Sequence, residues 1–266
     1  MDNYILFAVG GVVLLYFVIS KVLPLVRKVK KKRKVLFGRV FLNKNSSLNN
    51  ELYKRLAVGA LYSEQQTAYI NSLVTGLDKS DIQVILSQWW GINNTNEAKD
   101  KLDYLANKGF RFYFDTILAC VNLSDENEIE KIIESRFDND EDIDKAYNQL
   151  YNLQDTLQEL TQSNIITSLT DLQKQTNIGW DCGRLVFLSR LCFEAGYISE
   201  NKTWEYIDKA YDLASNSFDS WKELANSYII GRAMWGGIDC GNEGIIAIAE
   251  ELLDHPKSPW NTLSFK

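Results

Sequence analysis

The stretch "GWDCGRLVFLSRLCFEAGYIS", residues 179–199, decides how this chain is read. Its apolar residues recur at helical spacing, with Leu185, Leu188, Leu191 and Cys192 forming one stripe, and Gly196 supplies a stop. Charges interrupt what otherwise reads as a buried helix. Asp181 and Arg184 are three residues apart and so are neighbours on one face. Arg190 is six residues beyond Arg184, about 240° around the helix, and points elsewhere. These charges are either a site or a buried ion-pair network that fixes the fold.

The next helix outward repeats the device. In "SWKELANSYIIGRAMWGG", residues 220–237, Ser220 and Glu223 form a capping box, and a Gly236–Gly237 pair ends the helix. Tyr228, Gly231, Arg232 and Trp235 lie between them. A glycine in a helix interior costs about 1 kcal/mol relative to alanine and marks close approach of another helix. Gly183 and Gly231 are therefore expected at one crossing, which would bring Asp181, Arg184 and Arg232 together.

The remainder reads as all-α. No proline falls between residues 25 and 255, strand patterns are weak, and no repeat of fixed period occurs. A first helix is expected over 49–63, and a second over 63–77 with Ser63 as its cap. A third, over 79–92, places Ile82, Ile85, Leu86 and Trp89 on one face and stops near Gly91. Thr95 should cap a helix that ends at Gly109. The stretch 124–145 is the most acidic and is a candidate sub-boundary, with a break near "DNDED" (138–142). Long helices follow over 143–160 and, after a Ser199 cap, over 200–218. The last runs over 241–254, and an extended tail then docks through Trp260, Leu263 and Phe265.

"YILFAVGGVVLLYFVISKVLPLV", residues 4–26, is apolar over its first sixteen residues. About 20 residues cross a bilayer, and "RKVKKKRK" (27–34) follows as a cytoplasmic stop. The expected organisation is a single-pass transmembrane anchor at 1–26, a basic juxtamembrane linker at 27–45 and a compact multi-helix cytoplasmic domain at 46–266. The N-terminus would lie outside, with the lipid bilayer as a partner through residues 4–26. Nine of the 29 Lys/Arg and one of the 35 Asp/Glu fall in residues 1–39, so the rest carries 20 against 34, a net charge of −14. That balance argues against nucleic acid as a partner. The four cysteines include no CxxC pair and His255 stands alone, so no metal site is expected. No Walker A, GxGxxG or HExxH motif occurs, no cofactor is expected, and no catalytic residue is assigned.

Four segments together carry a family resemblance. They are "WWGINNTNEAKDKLDYLANKGF" (89–110), the 179–199 stretch, the 220–237 stretch and "SPWNTL" (258–263). In that order they resemble domain-of-unknown-function family 1266 over roughly residues 80–265, with Trp180, Asp181, Gly183, Arg184, Arg190, Gly231 and Arg232 among the matching positions. The resemblance implies an all-helical bacterial domain, and hence a bacterial inner (cytoplasmic) membrane location. It implies no activity. Two readings follow. One is a protein-interaction module of an envelope, secretion or defence system. The other is an enzyme or sensor that binds an anionic ligand through Asp181, Arg184, Arg190, Tyr228, Arg232 and Trp235. Arginine forks suit carboxylate or phosphate, aromatic walls suit a base or acyl group, and Asp181 would act as orienter or general base. On the scaffold reading Asp181 is instead the counter-ion of Arg184 or Arg232.

Overall fold

Every residue from Gly179 to Cys192 is buried, because the helix that carries them is surrounded by others on all sides. A computed structural model describes residues 40–266, and the anchor expected at 1–26 lies outside the described residues, as does the linker up to residue 39. Among the described residues there is no strand, and no helix is long and apolar enough to cross a membrane.

The elements in order are α1 (Asn50–Ala57), α2 (Ala60–Gln65), α3 (Lys79–Val84), α4 (Thr95–Asn107), α5 (Arg111–Cys120), α6 (Glu126–Arg136) and α7 (Asp140–Gln162). There follow the single turn α8 (Leu169–Leu172), then α9 (Ile178–Glu194), α10 (Glu200–Ser217), α11 (Trp221–Gly236), α12 (Asn242–Asp254) and the turn α13 (Pro259–Thr262). α9 packs on α10, α11, α4 and α2, while α11 also packs on α7 and α12. Val40–Lys266 form one compact unit, and the acidic stretch 124–145 falls inside it, across α6 and the start of α7.

Local chemistry explains most of the helix ends. Asn94, Asn139, Ser199 and Ser220 each accept a backbone N–H of the first turn that follows. Asn94, one residue before the expected Thr95, is therefore the cap of α4. Gly109 and Gly196 end α4 and α9 with positive φ, as expected. The tail is not wholly extended, since Ser258 caps α13 with Pro259 in its first turn, and Trp260 and Phe265 are buried.

Three expectations fail for tertiary reasons. The expected first helix breaks at Val58–Gly59, and Gly59 there packs so closely that a Cβ on it would meet Val186 Cγ1 at 2.5 Å. Residues 66–77 are an irregular loop rather than a helix, and Ser63 lies inside α2 instead of capping anything. Their carbonyls are captured by Arg190, as described below. Trp89 leaves the apolar face of its segment, because α3 runs on into a π-helical turn, Ile85–Trp89. The wider turn keeps Ile85 and Leu86 buried and swings Trp89 to 57% exposure.

The α9–α11 crossing is where the glycines placed it. A Cβ on Gly183 would lie 2.7 Å from the Tyr228 ring, and one on Gly231 would strike Trp180. Gly179 makes the closest backbone approach, with its notional Cβ 2.7 Å from Leu224 O.

Candidate functional site

Asp181 does not face this crossing. It is 0% exposed and turns toward the α4–α5 corner. Its Oδ1 accepts from Phe110 N (2.9 Å) and from Arg184 (2.6 Å), and its Oδ2 accepts from Arg111 N and the Arg111 guanidinium, both at 3.0 Å. Arg111 also donates to Leu105 O and Ala106 O at the end of α4. The carboxylate thus caps the start of α5, while Arg111 caps the end of α4, and Gly109 leaves the room that this needs. With four donors on it, Asp181 is saturated. In this arrangement it serves as the counter-ion of Arg184 and Arg111.

Arg190 is equally committed. It is fully buried and donates to Ser63 Oγ (2.8 Å), Tyr69 O (2.6 Å), Leu73 O (3.2 Å) and Val74 O (3.4 Å). Burial pulls its pKa down to about 10, partly offset by Glu194, so the guanidinium stays charged at neutral pH. Its task is to satisfy the carbonyls of the 66–77 loop, which fixes that loop in place of a helix.

Arg184, Arg232 and Trp235 come together, around a concave pocket of about 650 Å³. Four parts of the chain converge there. α2 brings Tyr62 and Gln65, the π turn and its exit bring Trp89 and Trp90, α9 brings Trp180 and Arg184, and α11 brings Arg232 and Trp235. Cys240, from the 3₁₀ turn Ile238–Cys240, closes one side. Arg184 lies over Trp180 (4.6 Å) and Phe110 (4.7 Å), a cation–π arrangement that holds its guanidinium flat. Trp180 contacts Trp235 with ring centroids 6.0 Å apart, and Tyr228 stands edge-on behind Trp180 at 4.9 Å, outside the pocket lining.

The two pocket arginines differ in their electrostatics. Arg184 is paired with Asp181. Arg232 is 7% exposed, donates to Cys240 Sγ, Cys240 O and Asn242 Oδ1, and has no carboxylate partner among the described residues. Glu159 reaches it only through Asn242. Three polar atoms on the lining residues lack a partner: Gln65 Oε1, Trp180 Nε1 and Arg232 Nε. The two charges on the lining are thus both cationic, Arg184 balanced by Asp181 behind it and Arg232 without a carboxylate of its own. Burial raises the pKa of Tyr62 against the pull of Arg184, and raises that of the Cys240 thiol against the pull of Arg232. Both therefore stay neutral at pH 7 and offer hydrogen bonds rather than a nucleophile.

The sequence reading missed Arg111, Tyr62, Gln65, Trp90 and Cys240. A visible signal existed for one group. Two adjacent tryptophans at a helix end, 89 and 90, cannot both face one core.

The family model described as "Protein of unknown function (DUF1266)" matches residues 85–265, and the chain belongs to that family. No curated protein and no solved structure matches the chain. The matched region contains every pocket arginine and tryptophan, whereas Tyr62 and Gln65 precede it.

Proposed function

We propose that this domain binds an anionic small molecule with a flat or apolar body in the tryptophan–arginine pocket, as a sensor rather than a catalyst. Arg232 carries the reading. A guanidinium taken out of water without a counter-ion is costly, and an anion in the pocket would supply the missing charge. Trp89 and Trp235, 57% and 55% exposed at the rim, would stack on the ligand body.

The interaction-module reading draws on the same rim. Trp89, Trp235 and Ile238 are large apolar side chains open to solvent, and a protein partner that covers them would sense whether the pocket is filled. Residues 4–26 are read as a tether that holds the domain at the cytoplasmic face of a bacterial inner membrane and raises its concentration near such a partner.

The test is a titration of the full-length protein with inorganic phosphate, pyrophosphate and citrate, read by intrinsic tryptophan emission. Four of the seven tryptophans line the pocket, so occupancy should change the spectrum. A saturable change in wild type that is lost in Arg232→Gln, with helical circular dichroism intact, supports the reading. An equal response in Arg232→Gln sinks it.

A further inference from the structure

A second cavity, of about 320 Å³, shares Trp235 with the first. Phe110, Lys145, Gln149, Asn152, Met234 and Trp235 line it. Trp235 is 55% exposed, so no buried wall separates the two cavities at this residue.

Gln149 sets this cavity apart. It is a residue of α7, 3% exposed, and neither its Nε2 nor its Oε1 has a partner. Its neighbour Asn152, nearly one turn on, is fully employed, donating to Met234 O (2.9 Å) and Trp235 O (3.1 Å). Asn152 thereby pins the end of α11 and the backbone of Trp235. The one charge on the lining, Lys145, is paired with Glu141. The lining therefore carries no unpaired charge, and the Gln149 amide, donor and acceptor side by side, lies buried at its wall without a partner. Buried amides are ordinarily bonded, and one left idle beside a cavity fits a group that arrives from outside.

We infer that this cavity is the second half of the ligand site and reads the hydrogen-bonding edge of a nucleobase, which makes the ligand class a nucleoside phosphate. The inference rests on the anion-binding reading of the Arg232 pocket. A primary amide makes two in-plane bonds to a ring edge that holds a donor beside an acceptor, as glutamine does with adenine. Aromatic rings stack on bases irrespective of sequence. Trp235 and Phe110 provide the platform, Gln149 the edge contact once its buried amide turns into the cavity, and Arg232 the phosphate contact.

The experiment compares the four nucleoside monophosphates with ribose 5-phosphate on the full-length protein, by calorimetry. At least one nucleotide should bind tenfold or more tighter than ribose 5-phosphate. Gln149→Leu keeps the side-chain size and removes the amide. It should weaken that nucleotide by about 10- to 100-fold, the value of a lost buried hydrogen-bond pair, and leave ribose 5-phosphate unchanged. Trp235→Ala, at an exposed position that does not threaten folding, should erase the same preference. Nucleotides that bind no tighter than ribose 5-phosphate, or a preference that survives both variants, overturn the inference alone. If ribose 5-phosphate and the nucleotides all fail to bind, the anion reading falls and takes this inference with it.

Discussion

Asp181→Ala should destabilise this domain by about 3–5 kcal/mol, the cost of breaking a buried ion pair from one side. The structure gives the reasons. The carboxylate is 0% exposed and accepts from two guanidiniums and two backbone N–H groups. Its removal strands Arg184, which is itself buried, and uncaps the first turn of α5, a loss of about 0.5–2 kcal/mol by itself. Arg111 retains Leu105 O and Ala106 O, which holds the total within the range rather than above it. In a domain of this size each kcal/mol moves the melting temperature by about 2–4 °C, so a fall of roughly 8–16 °C is expected for a mid-range loss. Arg232→Gln is the internal control. It gives up contacts to Cys240 and Asn242 but strands no carboxylate, and should cost about 0.5–1.5 kcal/mol. Both are measured by circular dichroism melts and urea titration of the full-length protein. An Asp181→Ala melt within a few degrees of wild type would refute the closed-network argument, as would an Arg232→Gln variant that is equally damaged.

Two further outcomes follow from the packing and the charges. Gly179→Ala places a methyl 2.7 Å from Leu224 O and should cost about 1–3 kcal/mol by overpacking, while Gly244→Ala, in α12 with nothing within 4 Å, should gain about 0.5–1 kcal/mol. Urea midpoints of opposite sign check the pair. Asp142 gives an acid-range prediction. Burial works against its charge, but hydrogen bonds from Lys108, Tyr113 and Asn139 prevail and hold its pKa at about 2, below its ordinary 3.8. The folded value is the lower one, so its stabilisation is complete above pH 4 and fades as pH falls from about 4 to 2. Asp142→Asn should flatten that part of the stability–pH curve, and an unchanged slope would count against the network.

What could be read from the sequence was what local geometry controls. The burial of α9, its glycine stop, the Ser199 and Ser220 caps and the Gly183/Gly231 contacts all follow from spacing within one helix or one crossing. The role of Arg190 was invisible for the opposite reason. Residues 66–77 satisfy a helical pattern of apolar spacing, yet their carbonyls bond to a side chain more than a hundred residues away. No window of local sequence contains that partner. The misplacement of Asp181 is different, because the periodicity already held the answer. Gly179 and Gly183 are four apart and both face α11, so a residue two positions from each is turned about 200° away. Asp181 is that residue and cannot share the crossing. Arg184 and Arg232 each sit one residue, about 100°, beyond a crossing glycine, and so project beside the contact rather than into it. That offset leaves a gap next to the closest approach of two helices. Trp180 and Trp235 wall it, and the two guanidiniums reach it from different helices. The glycines that bring the helices together thus also set the width of the pocket, and a larger residue at Gly231 would move its walls before it touched its charges.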